Sequence, residues 1–135
     1  MITADQLLAH AIGDYIIQSD WMATEKTKKS LAAFIHVVTY TLPFLFITTS
    51  WPALAVICGT HFVIDRWRLA RYVIWFRNLM MSPYHLGRSS SYPKWKECQK
   101  FGTPPTTPDW LAGWLHIFTD NILHVTINGL AIYYL

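Results

Sequence analysis

SLAAFIHVVTYTLPFLFITTSWPALAVICGTHFVI, residues 30–64, contains no Asp, Glu, Lys or Arg. Thr49-Ser50-Trp51-Pro52 divides it near the middle, so two apolar helices of about 15–20 residues joined by a tight turn are expected. Pro43 falls inside the first and should kink it, which lipid-embedded helices tolerate better than soluble ones. Working outward, residues 110–135 carry Asp120 as their single charge, and that run is long enough to cross a bilayer of about 30 Å. Residues 6–19 are shorter and include His10 and Asp14, which suits a half-span or a helix inside a bundle. The expectation is an all-α protein, a helical membrane bundle of three to four transmembrane or membrane-embedded helices with a basic cytosolic loop. Its single domain, 1–135, should hold helices over roughly 3–19, 30–50, 52–78 and 109–134, with a polar loop over roughly 79–108.

Composition points the same way: 53% of residues are hydrophobic and 14% charged, against about a quarter charged in ordinary soluble domains. All eleven Lys and Arg lie between Lys26 and Lys100. Lys26, Lys28, Lys29 and the Arg66–Lys100 group would flank the open ends of the expected hairpin, which places them in the cytosol and the protein in the bacterial inner (cytoplasmic) membrane. The polar region holds Ser89-Ser90-Ser91 and the breakers Pro93, Pro104, Pro105 and Pro108. Cys58 and Cys98 are too few for a disulfide framework. The N-terminus, interrupted by Asp5, His10 and Asp14, does not read as a signal peptide.

The chemistry lies in spacing. His10 and Asp14, His61 and Asp65, and Asp120 and His124 are each four residues apart, which puts both side chains of a pair on one helix face. His116 stands one turn before Asp120, and His36 stands alone in the second apolar segment. Ionisable groups in apolar surroundings are costly unless paired or bound, and a divalent cation would compensate several carboxylates at once. His10, Asp14, His36, His61, Asp65, Asp120 and His124 are therefore candidate ligands for one or two divalent ions, zinc first and manganese or iron next. Asp14, Asp65 and Asp120 are the candidate catalytic carboxylates. Gln18, Tyr40, His116 and Asn128 continue the same polar faces and could hydrogen-bond the ligands. A bland alternative is a His–Asp hydrogen-bond network that pins the bundle or relays protons. Arg66, Arg68 and Arg71, interleaved with aromatics, suit a lipid headgroup or phosphorylated substrate. Nucleic acid is not expected, since the basic residues are explained by membrane topology.

The pattern His10-x-x-x-Asp14-x-x-x-Gln18, Trp21-Met22-Ala23 with Lys26, His36 with Tyr40, His61-Phe62-Val63-Ile64-Asp65-Arg66 and Asp120-x-x-x-His124 resembles a family of small uncharacterised bacterial and phage membrane proteins, a domain of unknown function. More distantly, its His/Asp pairs look like those of membrane-bound metal-dependent hydrolases, although the closely spaced extra His residues of that group are missing. The leading functional expectation is a membrane-embedded metal-dependent hydrolase acting on a lipid or phosphorylated substrate at the cytosolic face. The alternatives are a phage or bacterial membrane protein that modulates a host membrane complex, and a metal- or proton-handling protein. So few helices are also compatible with a homodimer.

Overall fold

The computed structural model describes residues 2–81 and 93–135 and is helical throughout, with no strand among the described residues. The Ser89-Ser90-Ser91 run and residues 82–92 of the expected polar loop lie outside the described residues. In chain order the helices are α1 (Ala4–Ala11), α2 (Asp20–Glu25), α3 (Ser30–Thr41), α4 (Trp51–Trp67), α5 (Ala70–Met81) and α6 (Asp109–Tyr134). Two of them change pitch: α1 continues as a π-helical segment, Ile12–Ile17, and α3 as a 3₁₀ segment, Leu42–Phe46. The chain divides into two compact units, one of residues 1–68 with 122–135 and one of residues 69–121.

The membrane expectation is overturned: among the described residues no helix is long and apolar enough to cross a membrane. Each apolar run falls short for a local reason. The run from Ser30 leaves α-geometry after 12 residues, where Pro43 permits only the 3₁₀ segment. At 1.5 Å per residue that helix is about 18 Å long, and the 17 residues of α4 reach about 26 Å, against a hydrocarbon core of about 30 Å. The 26-residue α6 is long enough, but its His, Asp, Asn, Gly, Trp and Tyr residues dilute its apolarity. With the spans goes the support for an inner-membrane location and for cytosolic placement of the basic residues. The helix expected over 52–78 is two helices, because Arg68 adopts a left-handed conformation (φ 52°, ψ 51°) and its N–H closes α4 onto the carbonyls of Ile64 and Asp65.

In the first unit, side-chain caps start the helices: Thr3 forms a reciprocal capping box with Gln6, Ser19 receives the Met22 N–H, and Ser50 receives the Ala53 N–H. Each satisfies an amide that the helix itself leaves unbonded. Helices α3 and α4 form the main pair. Ala32, Ala33 and Ala53 are fully buried, and such small residues let two backbones approach closely. Tyr40, Phe44, Leu54 and Ile57 fill the core, joined by Ala9 of α1 and Ala131 of α6. Gly13 lies directly against the Tyr40 ring, so a methyl group there would collide with it.

The second unit is held by aromatic contacts. Tyr72 stacks on Trp95 at 4.6 Å, Arg71 lies over the same indole at 5.3 Å, and Trp75 Nε1 donates to the Pro93 carbonyl. Gly102, at φ 79°, runs so close to the Arg71 carbonyl that a Cβ would not fit.

Gly13→Ala is expected to destabilise the protein by about 1–3 kcal/mol, because Tyr40 must shift to admit the added carbon. Urea denaturation checks this, and an unchanged midpoint would mean that α1 yields freely instead.

Candidate metal centre

Five helical segments of the first unit deliver the site. Asp14 comes from the π-helical segment, Lys26 from the end of α2, His36 and Tyr40 from α3, His61 and Asp65 from α4, and His124 and Asn128 from α6. The widened π turn re-aims side chains relative to an α-helix, a device frequent at functional sites. Here it buries Asp14 against the α3–α4 pair.

The two imidazoles His36 and His61 meet Nε2 to Nε2 at 3.0 Å. Asp14 Oδ1 lies 3.3 Å from His36 Nε2 and 3.4 Å from His61 Nε2. Asp65 Oδ2 lies 3.1 Å from each. Each of these five separations is close to the spacing of about 3.3 Å between two ligand atoms that share an ion at about 2.0 Å. Two overlapping groups of buried residues could hold a metal ion, Asp14–His36–His61 and His61–Asp65–His124, each with ligand atoms within 4.8 Å of one another. Asp14 Oδ1 and Asp65 Oδ2 are buried without a well-directed hydrogen bond, as are Nδ1 of His36 and His61. Asp65 Oδ2 is paired with Lys26 Nζ at 2.9 Å, so Asp14 Oδ1, facing the two Nε2 atoms, is the acceptor that a cation would satisfy.

Ring packing orients the imidazoles. Tyr40 lies 3.7 Å from the His61 ring on one contact, and His124 stacks on His61 at 3.8 Å with 20° between planes. Asn128 Nδ2 donates to the Tyr40 hydroxyl at 2.7 Å, and the same hydroxyl is 2.9 Å from His10 Nδ1. His10 Nδ1 is also 3.5 Å from Asp14 Oδ2, and His124 Nε2 is 3.5 Å from Asp65 Oδ1.

Electrostatics favour charged carboxylates. Burial pushes Asp14 up, but the polar contacts of His36 and His61, with the charges of His61 and Lys26, outweigh it and hold the carboxyl below its ordinary value of 3.8. Asp65 behaves likewise: burial raises it, and His61, His124 and His36 bring it well below 3.8. For His36, burial pushes down, yet contact with Asp14 and Asp65 raises it above the ordinary 6.5.

Other expected residues go elsewhere. His10 stands beside the cluster as a partner of Asp14 and Tyr40, outside both ligand groups. Gln18 accepts from Lys26 Nζ at 2.7 Å and so reaches the ligands through that lysine. Asp120 and His116 belong to the second unit, half-buried and outside both groups, with His116 against Phe101. Arg66 is spent on the Thr27 carbonyl and Ser30 hydroxyl, Arg68 forms the α4 cap, and Arg71 bonds the Tyr72 hydroxyl. The residue that the spacing argument missed is Lys26. Its Nζ lies 2.9 Å from Asp65 Oδ2 and 3.4 Å from His36 Nε2. Its sequence signals are its place with Trp21-Met22-Ala23 in the family-like pattern and its position as the first basic residue after an acid-bearing N-terminal segment.

Fold and side chains together define an all-helical protein with a buried His/Asp cluster able to hold a metal ion. The chain belongs to the family described as Protein of unknown function (DUF3307), whose family model matches residues 2–85. Asp14, Lys26, His36, Tyr40, His61 and Asp65 lie inside that span, and His124 and Asn128 outside it. No curated protein and no solved structure matches the chain, so neither the phage nor the hydrolase part of the resemblance gains support.

Asp14 and Asp65 titrate lower in the folded protein than in the unfolded chain, so their stabilisation is complete above the unfolded value and is lost as pH falls. His36 titrates higher when folded, so its contribution is complete below 6.5 and is lost as pH rises through the folded value. Metal-free protein is therefore expected to be most stable near about pH 5–6 and to weaken towards acid. In Asp14→Asn the acid-side loss should be shallower, as read by denaturation at stepped pH. An identical acid slope in the variant would contradict the assignment.

Proposed function

We propose that the protein is a divalent-metal-dependent hydrolase of a phosphorylated substrate, with Asp14, His36, His61 and Asp65 as the ligands. The convergence of two carboxylate oxygens and two Nε2 atoms at 3.0–3.4 Å carries this reading. Mixed imidazole and carboxylate ligands suit zinc, with manganese or iron as neighbours in preference. The two ligand groups share His61, and its single Nε2 serves one ion, so one ion is the simpler occupancy.

When bound, such an ion supplies an acidified water and polarises the ester oxygen. The chain's own residues do the remainder. Asp14 points Oδ1 at the imidazoles and Oδ2 at His10, so Oδ1 would be the atom offered to a cation and the His10 imidazole, oriented by Oδ2, would be the group that takes up a proton. His124 braces Asp65 through Oδ1, and the Tyr40–Asn128 hydrogen bond fixes the ring that packs on His61.

A second reading is favoured by the Lys26–Asp65 ion pair at 2.9 Å: a His–Asp–Lys network that serves only to pin the helices. Elemental analysis of purified protein separates the two. The hydrolase reading expects about one ion per chain, lost in Asp65→Ala, and an Asp14→Asn protein that stays folded but no longer cleaves p-nitrophenyl phosphate. Stoichiometric zinc should also raise the melting temperature, since a ligand at about 100 times its Kd adds about 2.7 kcal/mol. Wild-type protein that takes up no zinc, manganese or iron would leave the network reading standing.

A further inference from the structure

We infer that Lys26 is a built-in rival of the divalent ion: its ammonium holds ligand atoms of the centre until the ion takes them, and swings outward when the ion binds. This rests on the metal-dependent reading above and says how that site is loaded. Three observations support it.

The first is that the amine is fully engaged, and on the wrong atoms for a bystander. Lys26 Nζ lies 2.7 Å from Gln18 Oε1, 2.9 Å from Asp65 Oδ2 and 3.4 Å from His36 Nε2. Three acceptors match the three N–H donors of an ammonium. Two of them, Asp65 Oδ2 and His36 Nε2, are atoms proposed above as ligands. A neutral imidazole has one lone pair at its unprotonated nitrogen, so His36 Nε2 gives it either to Lys26 or to a metal.

The second is charge. Asp14 and Asp65 bring two negative charges, and Lys26 compensates one of them, which leaves the centre attractive to a cation. A divalent ion balances both carboxylates by itself and makes the ammonium superfluous. An ion bonded to Asp65 Oδ2 at about 2.0 Å would lie within about 5 Å of Nζ as it now stands. Two cations that close in a largely buried site repel one another strongly.

The third is freedom to leave. The side chain of Lys26 is 16% exposed, whereas those of Asp14, His36, His61, Asp65 and His124 are 10% exposed or less. Lys26 follows directly on α2, none of whose residues is buried. Its flexible four-carbon stem can therefore carry the amine into water without disturbing the apolar core.

The test is calorimetric titration of zinc, with manganese and iron(II) in parallel, into wild type, Lys26→Met and Lys28→Met. Lys26→Met should bind the ion about 10-fold to 100-fold more tightly than wild type, the range for giving up one hydrogen bond between charged groups. Lys28→Met removes the same charge from an exposed pair with Glu25 and should bind as wild type does. Without metal, Lys26→Met should melt below wild type, and the ion should erase the difference. Lys26→Met that binds the ion no more tightly than wild type, as a lysine that merely pins the helices would give, overturns the inference and leaves the metal centre standing. Equal tightening in Lys28→Met overturns it too, since the effect would then be one of overall charge. Wild type that binds none of the three ions overturns both readings. If Lys26→Met does not fold, labelling of wild type with acetic anhydride followed by mass spectrometry decides: the ion should speed acetylation of Lys26, and an unchanged or slower rate overturns the inference.

Discussion

Two carboxylates, Asp14 and Asp65, are carried into the interior of a helical unit, and the rest of the arrangement answers that cost. A buried carboxylate without partners would be neutralised by taking a proton. Here both are held in the charged form by imidazoles on α3, α4 and α6 and by Lys26. The helices that supply these groups are brought together by apolar packing, but what they surround is polar. Removing one member of such a set leaves the others uncompensated, which is why buried charge networks behave as units.

Backbone geometry makes the convergence possible. Fully buried alanines at 32, 33 and 53 bring α3 and α4 close, and Gly13 lets the π-helical segment approach Tyr40. Tyr40 then links three helices at one hydroxyl and one ring face: Asn128 and His10 at the hydroxyl, His61 at the ring. A metal centre in a helical protein is commonly built in this way, from side chains far apart in sequence that project from facing helices.

Much of the candidate site is legible in the sequence, because polar residues at helical spacing within apolar runs are expensive and therefore informative. His10, Asp14, His61, Asp65 and His124 come from that argument, and His36, Tyr40 and Asn128 from the faces they share. The same argument included Asp120, which i, i+4 spacing places on one face of α6 with His124 and which belongs to neither ligand group. It passed over Lys26, which sits at the end of a short helix with no periodic partner and reaches the site through a long side chain. The membrane reading failed for a different reason. Low charge and high apolarity in residues 30–64 do not fix helix length, and α3 ends at the 3₁₀ segment after 12 residues while α4 runs for 17, so neither is long enough to cross a membrane.

By itself, then, the sequence determined that the chain is helical and which side chains are candidates for the chemistry, because both follow from local periodicity and from the cost of placing ionisable groups among apolar ones. Tertiary structure alone decided helix lengths, the approach of Asp14 and Asp65 to the same two imidazoles, and the presence of Lys26 beside them. Those are distances between residues remote along the chain, set by how closely the helices approach, and no local pattern encodes them.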